Sequence, residues 1–600
     1  MNQFFLKMTT VLALFVSFQS SAKTVIEIKH QEGDMTPIVR KAIEDNIDKD
    51  LTIVFEKGKY LFLPDFAVDK YSYITNHGNG LKKIIFLLEG YDSVAIEGNG
   101  AEFIFHGQVA PFQIKNCKKV TAKNFTIDWD IPFLFQGEVT AVNPKEGWYE
   151  IKPFTKGYSW KVNRDQISFP DVDGFSFFEL GSTLEFDPKI KRVALGALDM
   201  SVRPRYVEKK ANGVLRLYEK LRKYPEIGNV MNSKGESEQN RYAPAFQTMN
   251  SQNILFEGIT IHHALGMGFL FERSEEIVIS KCGIFVRPGS DRVVSTIADA
   301  THFSNCKGNI LIENCKFQHM LDDGTNVHGT YVEVNKIVDS KTVVVELKHF
   351  EQLGFEFAGI GDEMWFIQQP SPERVAVNKV AKVLTINDRF IQITFENNLP
   401  SNLKQGDNIE NKTWNPVFTM RGCTINDHRA RNVIIKTPLK IIIENNNFSS
   451  MMSAIQLRGD NYYWFESGAV EDVTIRNNHF VHCAYGGAES AILYVTPRLG
   501  KDFDDKAFFD RNITFENNTI ETFGSRIIWA DRVDGLKITG NTIIQTKEAV
   551  DLYPNSPMFD LINCNNVDIS KNTYKGDNKN ILKADETSKK NLKVKRNKGF

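Results

Sequence analysis

The sequence holds no CxxC pair, no HExxH, no Gly-rich phosphate loop and no nucleophile elbow. Those absences remove dithiol redox chemistry, zinc proteolysis, nucleotide binding and serine-hydrolase catalysis from the first rank of readings. The seven cysteines (117, 282, 306, 315, 423, 483 and 564) show no metal-like spacing with histidine. They read as buried small hydrophobes, with at least one left unpaired in an exported chain. Lys and Arg are scattered, and the net charge of −1 offers no field for nucleic acid or an anionic membrane. Beyond residue 22 no apolar run is long enough to span a bilayer. The first 22 residues carry Lys7, the short apolar run Met8–Phe18 and Ser20-Ser21-Ala22, the pattern of a cleaved leader. The protein is expected to be exported, to the periplasm or beyond.

What is present is a repeat. The unit apolar-x-x-N/C-x-apolar recurs as ISKCGI (279–284), IENCKF (312–317), MRGCTI (420–425), IENNNF (443–448), IRNNHF (475–480), FENNTI (515–520) and ITGNTI (538–543). The shortest step between fourth positions is 23 residues, as from 423 to 446 and from 518 to 541. That period is too short for helical hairpins, the bias is β-branched and aromatic, and the Leu consensus of leucine-rich repeats is missing. An all-β parallel β-helix fits, with Asn in an amide ladder and Ile and Phe in internal stacks. Cys282, Cys315 and Cys423 occupy one slot of the repeat.

The expected organisation follows. Residues 1–22 are the leader and 23–129 a cap with the first coils. In the cap, Thr36 is read as N-cap and Pro37 as the first helical residue. Val39, Ala42, Ile43 and Ile47 then follow at helical spacing. Two gaps in the repeat are too long for one coil. Residues 130–245 and 329–415 are therefore read as inserted, small, antiparallel, barrel-like β domains. Coils at 246–328 lie between them, and coils at 416–600 end in a basic tail expected to be a solvated terminus.

The stretch ADATHFSNCKGNILIENCKFQHMLDDGTNVHG carries the chemistry. Asp299 and Asp322 are 23 residues apart, one minimal period, so stacked coils bring them together with Asp323 beside them. Gly324 is expected to permit the turn. Crowded carboxylates push one another's pKa values apart and yield an acid and a base, the requirement for glycoside hydrolysis. Turn residues or a cation site would also explain three aspartates. His302, His328, Arg292, Trp464 and Glu466 are the candidate substrate contacts; Trp129, Arg287 and His319 are weaker ones. No cofactor and no metal-ligand set is expected.

Longer motifs narrow the class. ADATHFSNC, LDDGTNVHGT, ENKTWNPVF and YYWFESGAVEDVTIRNNHFVHCAYGG resemble glycoside hydrolase family 110. That family comprises exported bacterial α-1,3-galactosidases acting on blood group B and linear α-Gal structures. The resemblance implies a right-handed parallel β-helix with inserted β domains, and an exo-acting, inverting, metal-independent hydrolase of terminal α-galactose. The acid cluster also looks like that of polygalacturonases, which would make Asp322 the general acid and Asp299 with Asp323 the water-activating pair. The oligosaccharide is the expected partner; a homodimer stays open. The alternatives are a polygalacturonase-like hydrolase of another polysaccharide and a non-catalytic glycan-binding β-helix.

Overall fold

The computed structural model describes residues 24–46, 49–237 and 239–600; the leader and Ile47 lie outside the described residues. The chain winds as a parallel β-helix. In a typical coil two strands lie on one long sheet, split by a bend, and a third lies on a second sheet. Gln252–Glu257, Thr260–Ile261 and Phe269–Glu272 form one such coil.

The repeat motif explains the bend. The residue before each ladder position has a left-handed backbone, as at Asn445 (φ 57°), Asn477 (φ 55°) and Asn517 (φ 55°). Asn tolerates that conformation better than most residues. The next Asn turns inward. Asn446, Asn478, Asn518, Asn541 and Asn572 each donate from Nδ2 to the Oδ1 of the next ladder Asn at 2.9–3.1 Å, ending at Asn597. Above Asn446 the slot passes to Cys423, Cys315 and Cys282, all buried free thiols. Aromatic rings stack between coils, with Phe112 on Phe246 at 4.4 Å and Phe271 on Phe303 at 4.9 Å.

The first coil is covered by the helix Thr36–Glu44, which buries Val39 and Ile43. Its N-cap is Met35, and the Thr36 hydroxyl is spent on Leu63 O at 3.0 Å, so Thr36 does not cap as expected. The basic tail is likewise more than a loose end. Leu592–Lys595 pairs with Asn565–Ser570 as a final rung, with its lysines exposed. Charge along an outermost strand discourages pairing with another chain.

Two antiparallel domains interrupt the winding. The first, between Phe135 and Ser233, is an eight-stranded sheet beside a three-stranded one. In the second, six strands close in the order Thr325–Ile337, Thr342–Glu346, Phe390–Phe395, Arg374–Thr385, Glu363–Ile367 and Asn408–Asn411, back to the first. It has its own core around Val332, Val345, Phe366 and Ile393. Thr325–Ile337 is one continuous strand: its start is a β-helix rung and its end a barrel stave.

Candidate active site

The aspartates precede two neighbouring rungs of the second sheet. Thr301 lies opposite Thr325, a step of 24 residues, so Asp299 is level with Asp323 rather than with Asp322. The coil turn holds one residue more than the minimal period, and that residue displaces the expected pairing. One carboxyl oxygen each of Asp299, Asp322 and Asp323 lies within 4.8 Å of the other two. Asp299 and Asp323 are buried at 3% and 2% exposure, whereas the Asp322 side chain keeps 15%. Asp322 is thus the most exposed member of the trio. Gly324 serves by close approach: a Cβ there would sit 2.5 Å from Asn432 O.

Each carboxylate has a different environment. Asp322 Oδ2 accepts from Arg241 Nη2 at 2.5 Å and Oδ1 from Arg429 Nη1 at 2.9 Å. Burial opposes its charge, but Arg429 and Arg241 outweigh burial and hold the carboxyl well below the usual range. Asp323 accepts the Arg431 backbone N–H at 2.9 Å and Arg431 Nη2 at 2.8 Å. Burial pushes Asp323 up, Arg431 pulls it back, and the charge of Asp322 adds to the rise.

Asp299 is set by two histidines. His328 Nδ1 lies 2.6 Å from Gly329 O, a pure acceptor, so Nδ1 carries the proton. In the neutral ring Nε2 is then an acceptor. It faces His302 Nε2 at 2.8 Å, so His302 donates there. His302 Nδ1 lies 2.7 Å from Asp299 Oδ2, and exactly one proton fits that bond. Burial pushes His302 down to about 4, and burial followed by the Asp322 charge pushes Asp299 up to about 8. The proton therefore rests on Asp299. This distribution runs against the split of roles that the polygalacturonase likeness implied, since Asp322 carries the charge and Asp299 the proton.

The other candidates scatter. Glu466 is buried, bonded to Lys436 Nζ, and 3.6 Å from His328 Nε2, so it supports the histidines from behind. Arg292 does not reach the trio: both its Nη groups bind Asp128 at 2.8 Å. Arg287 binds the same carboxylate, and Trp129 is core, with Nε1 on Gly107 O. Trp464 is exposed, with its ring 4.7 Å from that of His349. His302, His328 and Glu466 have a spacing that could hold a metal, as does the trio. Neither set fits a cation well, because Lys436 and three guanidiniums already neutralise the donors.

Arg241, Arg429, Arg431 and Lys436 are absent from the sequence reading. Arg431 had a signal. The repeat step across the second insertion is 108 residues, and Asp323 plus 108 is Arg431, as the pairing of Thr325 with Val433 shows. Arg241 had none; it ends an irregular segment of the first insertion.

Both insertions reach the arginines that hold Asp322. Arg429 binds Asp199 of the first at 2.9 Å. Arg241 Nη1 bonds Asn76 O, and the Asn76 amide bonds Glu351 O of the second.

Family descriptions match along the chain: "GLAA-B beta-barrel domain I" over residues 135–231, "GLAA-B beta-barrel domain II" over 342–409, and "Right handed beta helix region" over 408–598. Alpha-1,3-galactosidase A of Shewanella woodyi is 35% identical over 504 residues, covering 83% of this chain and 81% of that one. Alpha-1,3-galactosidase B of Bacteroides thetaiotaomicron is 31% identical over 552 residues, covering 90% and 88%. A protein of the same name from Phocaeicola vulgatus is 31% identical over 609 residues, covering 94% and 100%.

Proposed function

The chain belongs to the α-1,3-galactosidase family and is a glycoside hydrolase of α-1,3-galactosyl linkages, and on that premise we propose an exported, exo-acting, inverting enzyme that removes terminal α-galactose from blood group B-type or linear α-Gal glycans. One observation carries the mechanism: adjacent rungs hold an ionised carboxylate, Asp322, beside two carboxyl groups pushed up to about 8, Asp299 and Asp323. Asp322, ionised and the most exposed of the three, takes the proton of the attacking water. Asp299 supplies a proton to the leaving oxygen and is steadied by His302. Asp323, held by Arg431, orients the pair.

Two features support single displacement. Both oxygens of Asp322 are pinned by guanidiniums, which weakens it as a nucleophile toward carbon. The other two carboxyl groups, pushed up to about 8, hold their protons at neutral pH, and a neutral carboxyl is a poor nucleophile. The trio is tighter than the separation of about 6.5–9.5 Å usual for inverting pairs, so the water enters beside the trio rather than between its members. Exo action is supported by the two insertions, parts of which approach Asp322 through Arg429 and Arg241.

The test compares wild type, Asp322→Asn and Asp299→Asn on linear Gal-α-1,3-Gal, branched blood group B trisaccharide and an aryl α-galactoside with an activated leaving group. The activated substrate needs no acid. Asp299→Asn is expected to lose the natural substrates and keep the aryl galactoside; Asp322→Asn loses all three. The reverse pattern would restore Asp322 as the acid. Proton NMR of the first-formed sugar should show β-galactose, and α-galactose would refute inversion.

A further inference from the structure

One row of the second sheet runs away from the trio. In register, His302, Asn326, Ile434, Gln456, Tyr494 and Trp529 lie on successive rungs. The row is covered as far as Gln456 and emerges half-buried at Tyr494 and Trp529. Rungs repeat at about 4.8 Å, so Tyr494 is roughly 14 Å beyond Asn326. That places it past the first acceptor sugar, on the reading that this is a galactosidase cleft.

Two arginines are held along this row by rings. Tyr494 and Trp529 have centroids 5.0 Å apart. The Arg526 guanidinium lies 4.2 Å over Trp529 and that of Arg458 lies 6.0 Å from Tyr494. The Arg526 side chain is 9% exposed; its Nη2 pairs with Glu489 at 2.8 Å and with Asp560 at 3.7 Å, while its Nε and Nη1 are buried without a hydrogen-bond partner. Arg458 is half-buried, its Nε is buried without a partner, and no carboxylate of the described residues lies within ion-pair distance of it. Burial, then Arg498, and more weakly Arg431 lower its pKa, against an opposing pull from Tyr494 and Asp460. Arg431 is the group that holds Asp323, so Arg458 lies within electrostatic reach of the trio's own guanidinium.

An arginine stacked on a ring keeps its in-plane N–H groups free, in a fork that matches an oxyanion. A guanidinium N–H buried without an acceptor costs stability unless a ligand supplies one. We propose that Arg458, with Arg526, Tyr494 and Trp529, forms an acceptor-side subsite for an oxyanion substituent, a sulfate ester or a carboxylate, on the sugar chain that carries the terminal galactose.

The experiment measures kcat/KM for wild type and Arg458→Met on three substrates: the α-1,3-galactosyl disaccharide, a neutral α-galactosyl tetrasaccharide, and that tetrasaccharide sulfated or carboxylated on its acceptor part. A charge-assisted bond gives the anionic tetrasaccharide an advantage of about tenfold in wild type. That advantage shrinks in high salt and disappears in Arg458→Met, while disaccharide turnover stays unchanged and shows that the variant is folded. The preferred anionic form identifies the substituent. Equal rates on neutral and anionic tetrasaccharides, or an equal loss on the disaccharide in Arg458→Met, would overturn the subsite. Failure of wild type on every galactoside would instead overturn the galactosidase reading beneath it.

Discussion

Replacing Asp299 with Asn removes a titration and little else. The Asn amide can donate to His302 Nδ1, where Asp299 now places its proton, and its Oδ1 can still accept the Asp323 N–H at 3.2 Å. The variant should fold. Its stability should differ from wild type in a pH-dependent way. In the folded chain Asp299 keeps its proton up to about 8, against an ordinary value of 3.8. Between those values the unfolded chain binds fewer protons, so wild-type stability falls as pH rises, by about 1.4 kcal/mol per pH unit for one proton. From pH 5 to pH 7 that amounts to about 3 kcal/mol. A chain of this length unfolds with an entropy of roughly 1.2 kcal/mol/K, so the shift is about 2–3 °C in Tm. Differential scanning calorimetry at the two pH values is the assay. The Tm of Asp299→Asn minus that of wild type should rise by that amount. A difference that does not change with pH would mean Asp299 titrates as an ordinary carboxyl, and the proton assignment at His302 would fall with it.

Activity on natural galactosides should hold through the acid range, because Asp322 is ionised well below the usual carboxylate pKa, and should fall as pH passes about 8 and Asp299 loses its proton; a kcat/KM profile that falls below neutrality would refute this. In the amide ladder, Asn518→Ala strands the Asn478 Nδ2 and N–H and the Ile475 carbonyl, at a cost of about 2–5 kcal/mol read from thermal unfolding. Asn518→Cys should cost less, since Cys423 fills the same slot with Sγ facing a carbonyl; equal losses for the two would refute the ladder's polar role.

The winding was legible because a parallel β-helix writes its period into the chain. Asn446, Asn478 and Asn518 must recur wherever the bend recurs, and the left-handed residue before each is selected as well. The trio was legible for the same reason, to within one residue. What the period could not show was the length of a particular turn, and so Asp299 fell level with Asp323 rather than Asp322. It could not show charge partners outside the repeat either. Arg292 looked available in sequence because Asp128, which consumes it, sits 164 residues earlier. Arg241 enters from an irregular insertion with no pattern to extrapolate. Arg431 needed only the 108-residue step applied to the acids instead of to the ladder.

Asp299 and Asp323 stand on adjacent rungs, so their separation follows a hydrogen-bonded backbone repeat that no side-chain rotamer can retune. After the second barrel the chain returns to that lattice in step, with Ile310 opposite Phe418. The winding behaves as a fixed gauge and the two insertions as its jaws. Jaws can be exchanged to grip a different sugar chain while the gauge keeps its setting, provided the first jaw still lends Arg241 to Asp322.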